Sequence, residues 1–150
     1  VDSSFKVISD QAINDTELKI MAGRIYDAQT FEIVQMKSWY ADWFGQPYSS
    51  TTTLWKGVYM PMMTKTMTAG TPDEIREAYL DEMIDHHKMA IDMSKGAKKA
   101  LAKLEEKNIV TDGDLTISDA NPIFEQARGF MQRVVDAQSK EIEQLSSLQK

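Results

Sequence analysis

Two histidines stand side by side in this chain of 150 residues, and sulfur surrounds them: the segment reads Met83-Ile84-Asp85-His86-His87-Lys88-Met89-Ala90-Ile91-Asp92-Met93. Met83 precedes His86 by three residues and His87 by four, and Met89 follows His86 by three. Those are same-face spacings on a helix, so thioether sulfur and imidazole nitrogen can converge. Thioethers are soft, uncharged ligands that favour Cu(I) and its analogue Ag(I), while imidazole accepts Cu(I), Cu(II) and other late metals. The donor set points to copper before zinc.

A second cluster reinforces the first. Seven of the ten methionines fall between Met60 and Met93, and Met60, Met62, Met63 and Met67 occupy a Pro-containing stretch with no core periodicity. A methionine at helical spacing is ordinarily core filler, which is the reading for Met21, Met36 and Met131. The clustered ones read as metal ligands. The competing reading is a non-metal interaction bundle whose exposed Met-rich loop holds a protein partner.

Polar pairs interrupt the apolar stripes twice. Gln29 and Glu32 sit on the first long periodic segment, and Gln138 and Glu141 sit at matching places on the last. A buried amide or carboxylate is costly unless it is hydrogen-bonded, so each pair needs a partner. His86 and His87 are the comparable intrusion on the middle segment, and a bundle would bring them within reach of Gln138 and Glu141. The plain reading is that these polar groups fix helix register.

Other chemistries are excluded by inventory. The chain has no cysteine, which removes disulfides, thiolate zinc sites, iron–sulfur clusters and Cys nucleophiles together. It has no H-E-x-x-H, no E-x-x-H and no G-x-S-x-G, so hydrolytic or oxidative turnover is disfavoured and the chain reads as a binding protein, not an enzyme. A net charge of −6 and a pI near 4.9 argue against a nucleic-acid surface. Lys95, Lys98, Lys99 and Lys103 read as a solvated helix face. No apolar run approaches the roughly eighteen residues of a membrane span.

The elements that must position these residues are helices. Leu18, Ala22, Ile25, Gln29, Glu32, Met36, Trp39 and Trp43 recur at spacings of three and four, predicting a helix from about Asp15 to Phe44, with Asn14 and Glu17 as its capping pair. Thr71-Pro72-Asp73-Glu74 is a capping box with Pro at the first helical position, and opens a helix reaching Lys107. Asn121-Pro122 opens a third, to Gln149, after a loop turning at Asp112-Gly113-Asp114. Residues 3–11 supply a short leading helix. Trp39, Tyr40, Trp43 and Phe44 read as a packed bundle end.

Arg24-Ile25-Tyr26-Asp27-Ala28-Gln29 and Glu32-Ile33 match Arg133-Val134-Val135-Asp136-Ala137-Gln138 and Glu141-Ile142 at one fixed offset. That repeat predicts duplication of a helix hairpin: one all-α, antiparallel four-helix-bundle domain, with a first repeat over 1–44, a connection over 45–70 and a second repeat over 71–150. Aligning Val1-Asp2-Ser3-Ser4 with Ile91-Asp92-Met93-Ser94 then places a first His-His pair just before the residues given. The start at Val1, with no secretory leader, reads as processed or truncated and fits an exported protein.

The Met83–Met93 motif, M-x-x-H-H-x-M-A-I-x-M, followed by D-A-Q-x-x-E-I over Asp136–Ile142, resembles a bacterial ferritin-like bundle family carried as a domain of unknown function. With the methionine enrichment and Tyr59-Met60-Pro61-Met62-Met63, the chain is similar to the periplasmic copper-tolerance members of that family. The resemblance implies a periplasmic protein that sequesters or carries Cu(I), and Cu(II), and takes Ag(I) as an analogue. It implies a site formed by His86, His87, Met83, Met89 and Met93, oriented by Gln138 and Glu141, and a copper-efflux or chaperone protein as partner. The missing first His-His departs from the pattern.

Overall fold

The computed structural model describes residues 1–49, 65–110 and 122–149, and leaves out the side chains of 43, 44, 65, 104–110, 122 and 123. All its regular elements among the described residues are helices: α1 (Asp2–Ser9), α2 (Thr16–Phe44), α3 (Lys65–Ala69), α4 (Pro72–Val110) and α5 (Pro122–Leu148). None of them is long and apolar enough to cross a membrane. The chain divides into two compact units, residues 1–83 and 84–148, and the division falls inside α4.

In the first unit α1 and α2 form an antiparallel hairpin, tied at one end by the Val1 ammonium donating to Gln29 Oε1 and at the other by Lys19 Nζ donating to the Asp10 carbonyl. Asp15, not Asn14, caps α2: its Oδ1 accepts from the Leu18 amide at 2.9 Å, satisfying one of the orphan donors of the first turn. Its other oxygen accepts from Arg76 Nε at 2.9 Å and joins α2 to the first turns of α4. Gly45 ends α2 at φ 67°, the left-handed conformation that glycine adopts without penalty.

The capping box at the start of α4 forms as its residues predict. The Thr71 amide donates to Glu74 Oε2 at 2.8 Å and the Glu74 amide donates to Thr71 Oγ1. Just before it lies α3, which the failed periodicity of 45–70 did not reveal. The turn joining them needs Gly70, because a Cβ there would stand 2.7 Å from the Thr66 carbonyl oxygen. Val7, Leu18, Ala22, Ile25, Met67, Tyr79, Leu80 and Met83 make the core of this unit, with the Tyr79 hydroxyl hydrogen-bonded to Ser4 Oγ at 3.1 Å.

The predicted α2 stripe is buried through Gln29 and then emerges: Met36 is 46% exposed.

The second unit joins α4 from Ile84 onward to α5. His87 pairs with Glu141 and Lys98 with Gln132, so residue numbers rise on one helix as they fall on the other, and the pair is antiparallel. Among the described residues Ile84, Ile91, Ala127, Val134 and Leu145 are its buried apolar residues. α4 runs to Val110, three residues past the predicted end, and the Asp112-Gly113-Asp114 turn lies outside the described residues.

Candidate metal centre

A polar centre occupies the interior of the second unit. His87 is fully buried on α4, and its Nε2 lies 2.7 Å from Glu141 Oε2 on α5. The carboxylate accepts only, so Nε2 carries the proton and donates it to Glu141. In the neutral ring Nδ1 then keeps a lone pair. That atom is buried with no hydrogen-bond partner, as are Nδ1 of His86 and Oε1 of Gln138, which lies one turn before Glu141 on α5. Buried polar atoms without partners are rare in folded proteins, and three of them beside a paired imidazole need an explanation.

His86 is half-buried, and its ring faces that of His87 edge-on with centroids 6.2 Å apart. Burial first, and the neighbouring His87 second, push the His86 imidazole below its ordinary 6.5. The folded protein therefore holds His86 neutral at pH values where the unfolded chain protonates it. The stability this contributes is present above pH 6.5 and is lost as pH falls through the lower, folded value. Urea unfolding of the metal-free protein should accordingly weaken between pH 7.5 and pH 5, and His86→Gln should lessen that loss; parallel declines in the two proteins would contradict the shift.

The sulfurs divide by position. Met83 is 1% exposed and stands one helical turn before His87; Met89 is half-buried, one turn after His86; Met93 is 46% exposed. Met67 is on α3, not in an open loop, and is fully buried in the first unit, as Met83 is. Met60, Met62 and Met63 lie outside the described residues. Among the described residues no three His, Asp or Glu side chains gather as a metal site would need, so a metal held here requires thioether donors as well.

Gln29 is also buried, with its Nε2 unpartnered, while Glu32 is half-buried. The first repeat thus keeps the amide of the pattern but shows no described histidine beside it. The buried Ser4–Tyr79 pair was not foreseen, although Tyr79 extends the Met83–His87 stripe by one turn. The described cleft at the N-termini of α2 and α4, lined by Asn14, Glu17, Asp73 and Arg76 among others, holds none of the predicted ligands.

No curated protein and no solved structure matches the chain. A family model does match, over residues 6–112, which include Gln29, Glu32 and the whole Met83–Met93 segment but stop short of Gln138 and Glu141. With most of its length so matched, the chain belongs to the family described as Domain of unknown function (DUF305).

Proposed function

We propose that this protein binds copper, chiefly Cu(I), at the His86–His87 corner of α4, and that it holds or carries the metal without turning over a substrate. The observation that carries the reading is the divided imidazole of His87: Nε2 is engaged by Glu141, and Nδ1 is buried and unpartnered. A ligating histidine has this character, because the second ring nitrogen donates to a carboxylate that fixes tautomer and orientation and raises basicity. His86 supplies a second nitrogen. Met83 and Met89, one turn away along the same helix, supply the soft donors that favour a monovalent ion.

The resemblance of the Met83–Met93 and Asp136–Ile142 motifs to ferritin-like, periplasmic copper-tolerance proteins supports the same reading. The matching α2 and α5 sequences support two hairpins of a four-helix bundle. Gln138 and Glu141 then position the ligands, and Gln29 and Glu32 are their counterparts in the first repeat. Met60, Met62 and Met63 are proposed as additional, more accessible thioethers, and a copper-efflux or chaperone protein as the partner that receives the ion.

Anaerobic titration against a coloured Cu(I) chelator tests this directly. The protein should withdraw at least one Cu(I) per chain from the chelator complex. No withdrawal, under reducing conditions in which the helices remain folded, would leave the alternative of a metal-free interaction module.

A further inference from the structure

The face of α2 turned away from the first unit's core is apolar where the repeat-related face of α5 is charged. Ile20 is 52% exposed, Phe31 66% and Val34 60%. At the matching positions α5 carries Gly129, Lys140 and Glu143, and the latter two are exposed. Between the apolar residues of α2 stand Arg24 and Asp27, both exposed, with no ion-pair partner among the described residues. Their α5 counterparts are engaged locally: Arg133 lies over the Phe130 ring and Asp136 accepts from Gln132 Nε2.

The order along this face is Ile20, Arg24, Asp27, Phe31, with steps of four, three and four. That spacing keeps all four residues on one stripe of the helix, and it is a palindrome. Two copies of α2 laid antiparallel about a two-fold axis between Arg24 and Asp27 set Ile20 of each against Phe31 of the other. The same register sets each Arg24 against the opposite Asp27, and each Gly23 against the opposite Ala28, where small side chains let the helices approach. Parallel pairing would instead set Arg24 on Arg24 and Asp27 on Asp27. Sliding the antiparallel pair to oppose Ile20 with Val34 would set Asp27 against Asp27. Only one register satisfies charge and apolar contact together.

We propose that α2 is a homodimer interface and that the occupant of its outer face is the same face of a second copy, packed antiparallel in this register. A closed two-fold contact of this kind is isologous, which is what a self-complementary stripe produces. Sedimentation velocity on the intact chain should show a species of twice 17.0 kDa that dissociates on dilution. Arg24→Asp should raise the dissociation constant about tenfold or more, because it opposes like charges across the axis twice, and Phe31→Glu should abolish the dimer. The double swap Arg24→Asp with Asp27→Arg restores both pairs by symmetry and should restore dimerisation. All three residues are exposed, so circular dichroism of each variant should match the parent. A protein that stays at 17.0 kDa at every concentration overturns the proposal, as does a dimer indifferent to Phe31→Glu or not rescued by the double swap.

Discussion

His87→Gln should lose most of the Cu(I) affinity of the second unit while keeping its fold. The substituted amide can still donate to Glu141, so the carboxylate is not stranded, and the stability change should stay below the about 1.5–3 kcal/mol that a hydrogen bond to a charged group contributes. What disappears is the buried, unpartnered Nδ1. Glu141→Leu attacks the same centre from the other helix. It leaves both histidines in place but removes the acceptor that holds the proton on Nε2. Loss of such a supporting carboxylate typically costs about 10–100-fold in metal affinity. Chelator competition on the two variants, with urea unfolding as the control, separates the metal role from the structural one: an unchanged Cu(I) affinity in both would reduce His87–Glu141 to a register-fixing hydrogen bond.

Met67→Ala should destabilise the protein by about 2–5 kcal/mol, the range for emptying a fully packed Met position. The side chain is 0% exposed among residues such as Ile75, Tyr79 and Leu80 of the same unit's core. Met67→Leu conserves volume and hydrophobicity and should cost less than about 1.5 kcal/mol. Neither substitution should alter Cu(I) stoichiometry, which distinguishes this methionine from Met83 and Met89. Loss of one copper equivalent in Met67→Leu with an unchanged unfolding midpoint would show that its sulfur is a ligand after all.

The contrast between these methionines shows how far the sequence can be read. Met83 lies on a strong four-and-three stripe, so both its burial and its register with His87 follow from spacing alone. Met67 belongs to a five-residue helix, too short to declare a period, and its burial comes from tertiary packing that no local pattern announces. The box Thr71–Glu74 was legible because its chemistry is local. The α2 cap was misplaced by one residue because Asn14 and Asp15 are both good caps, and the choice falls to Asp15, whose second oxygen has Arg76 to bind. For His87 the sequence predicted an acceptor on the last helix. Only the fold shows Nε2 bonded to Glu141 and Nδ1 buried without a partner.

The pairing Gln29–Glu32 with Gln138–Glu141 was equally visible as a repeat. On α5 the carboxylate meets a histidine. On α2 Gln29 is buried while Met36, farther along the same stripe, is exposed. Sequence identity at an offset fixes which faces correspond, not what stands opposite them.

Anomalous diffraction from crystals grown with Cu(I) or Ag(I) is the most direct measurement of the central assignment. A single strong peak within bonding distance of His87 Nδ1, with His86 nitrogen and a methionine sulfur beside it and Glu141 still on Nε2, is the result expected. Crystals loaded under the same conditions in which Nδ1 of His87 meets only water or another side chain, and the metal lies elsewhere or nowhere, would contradict it.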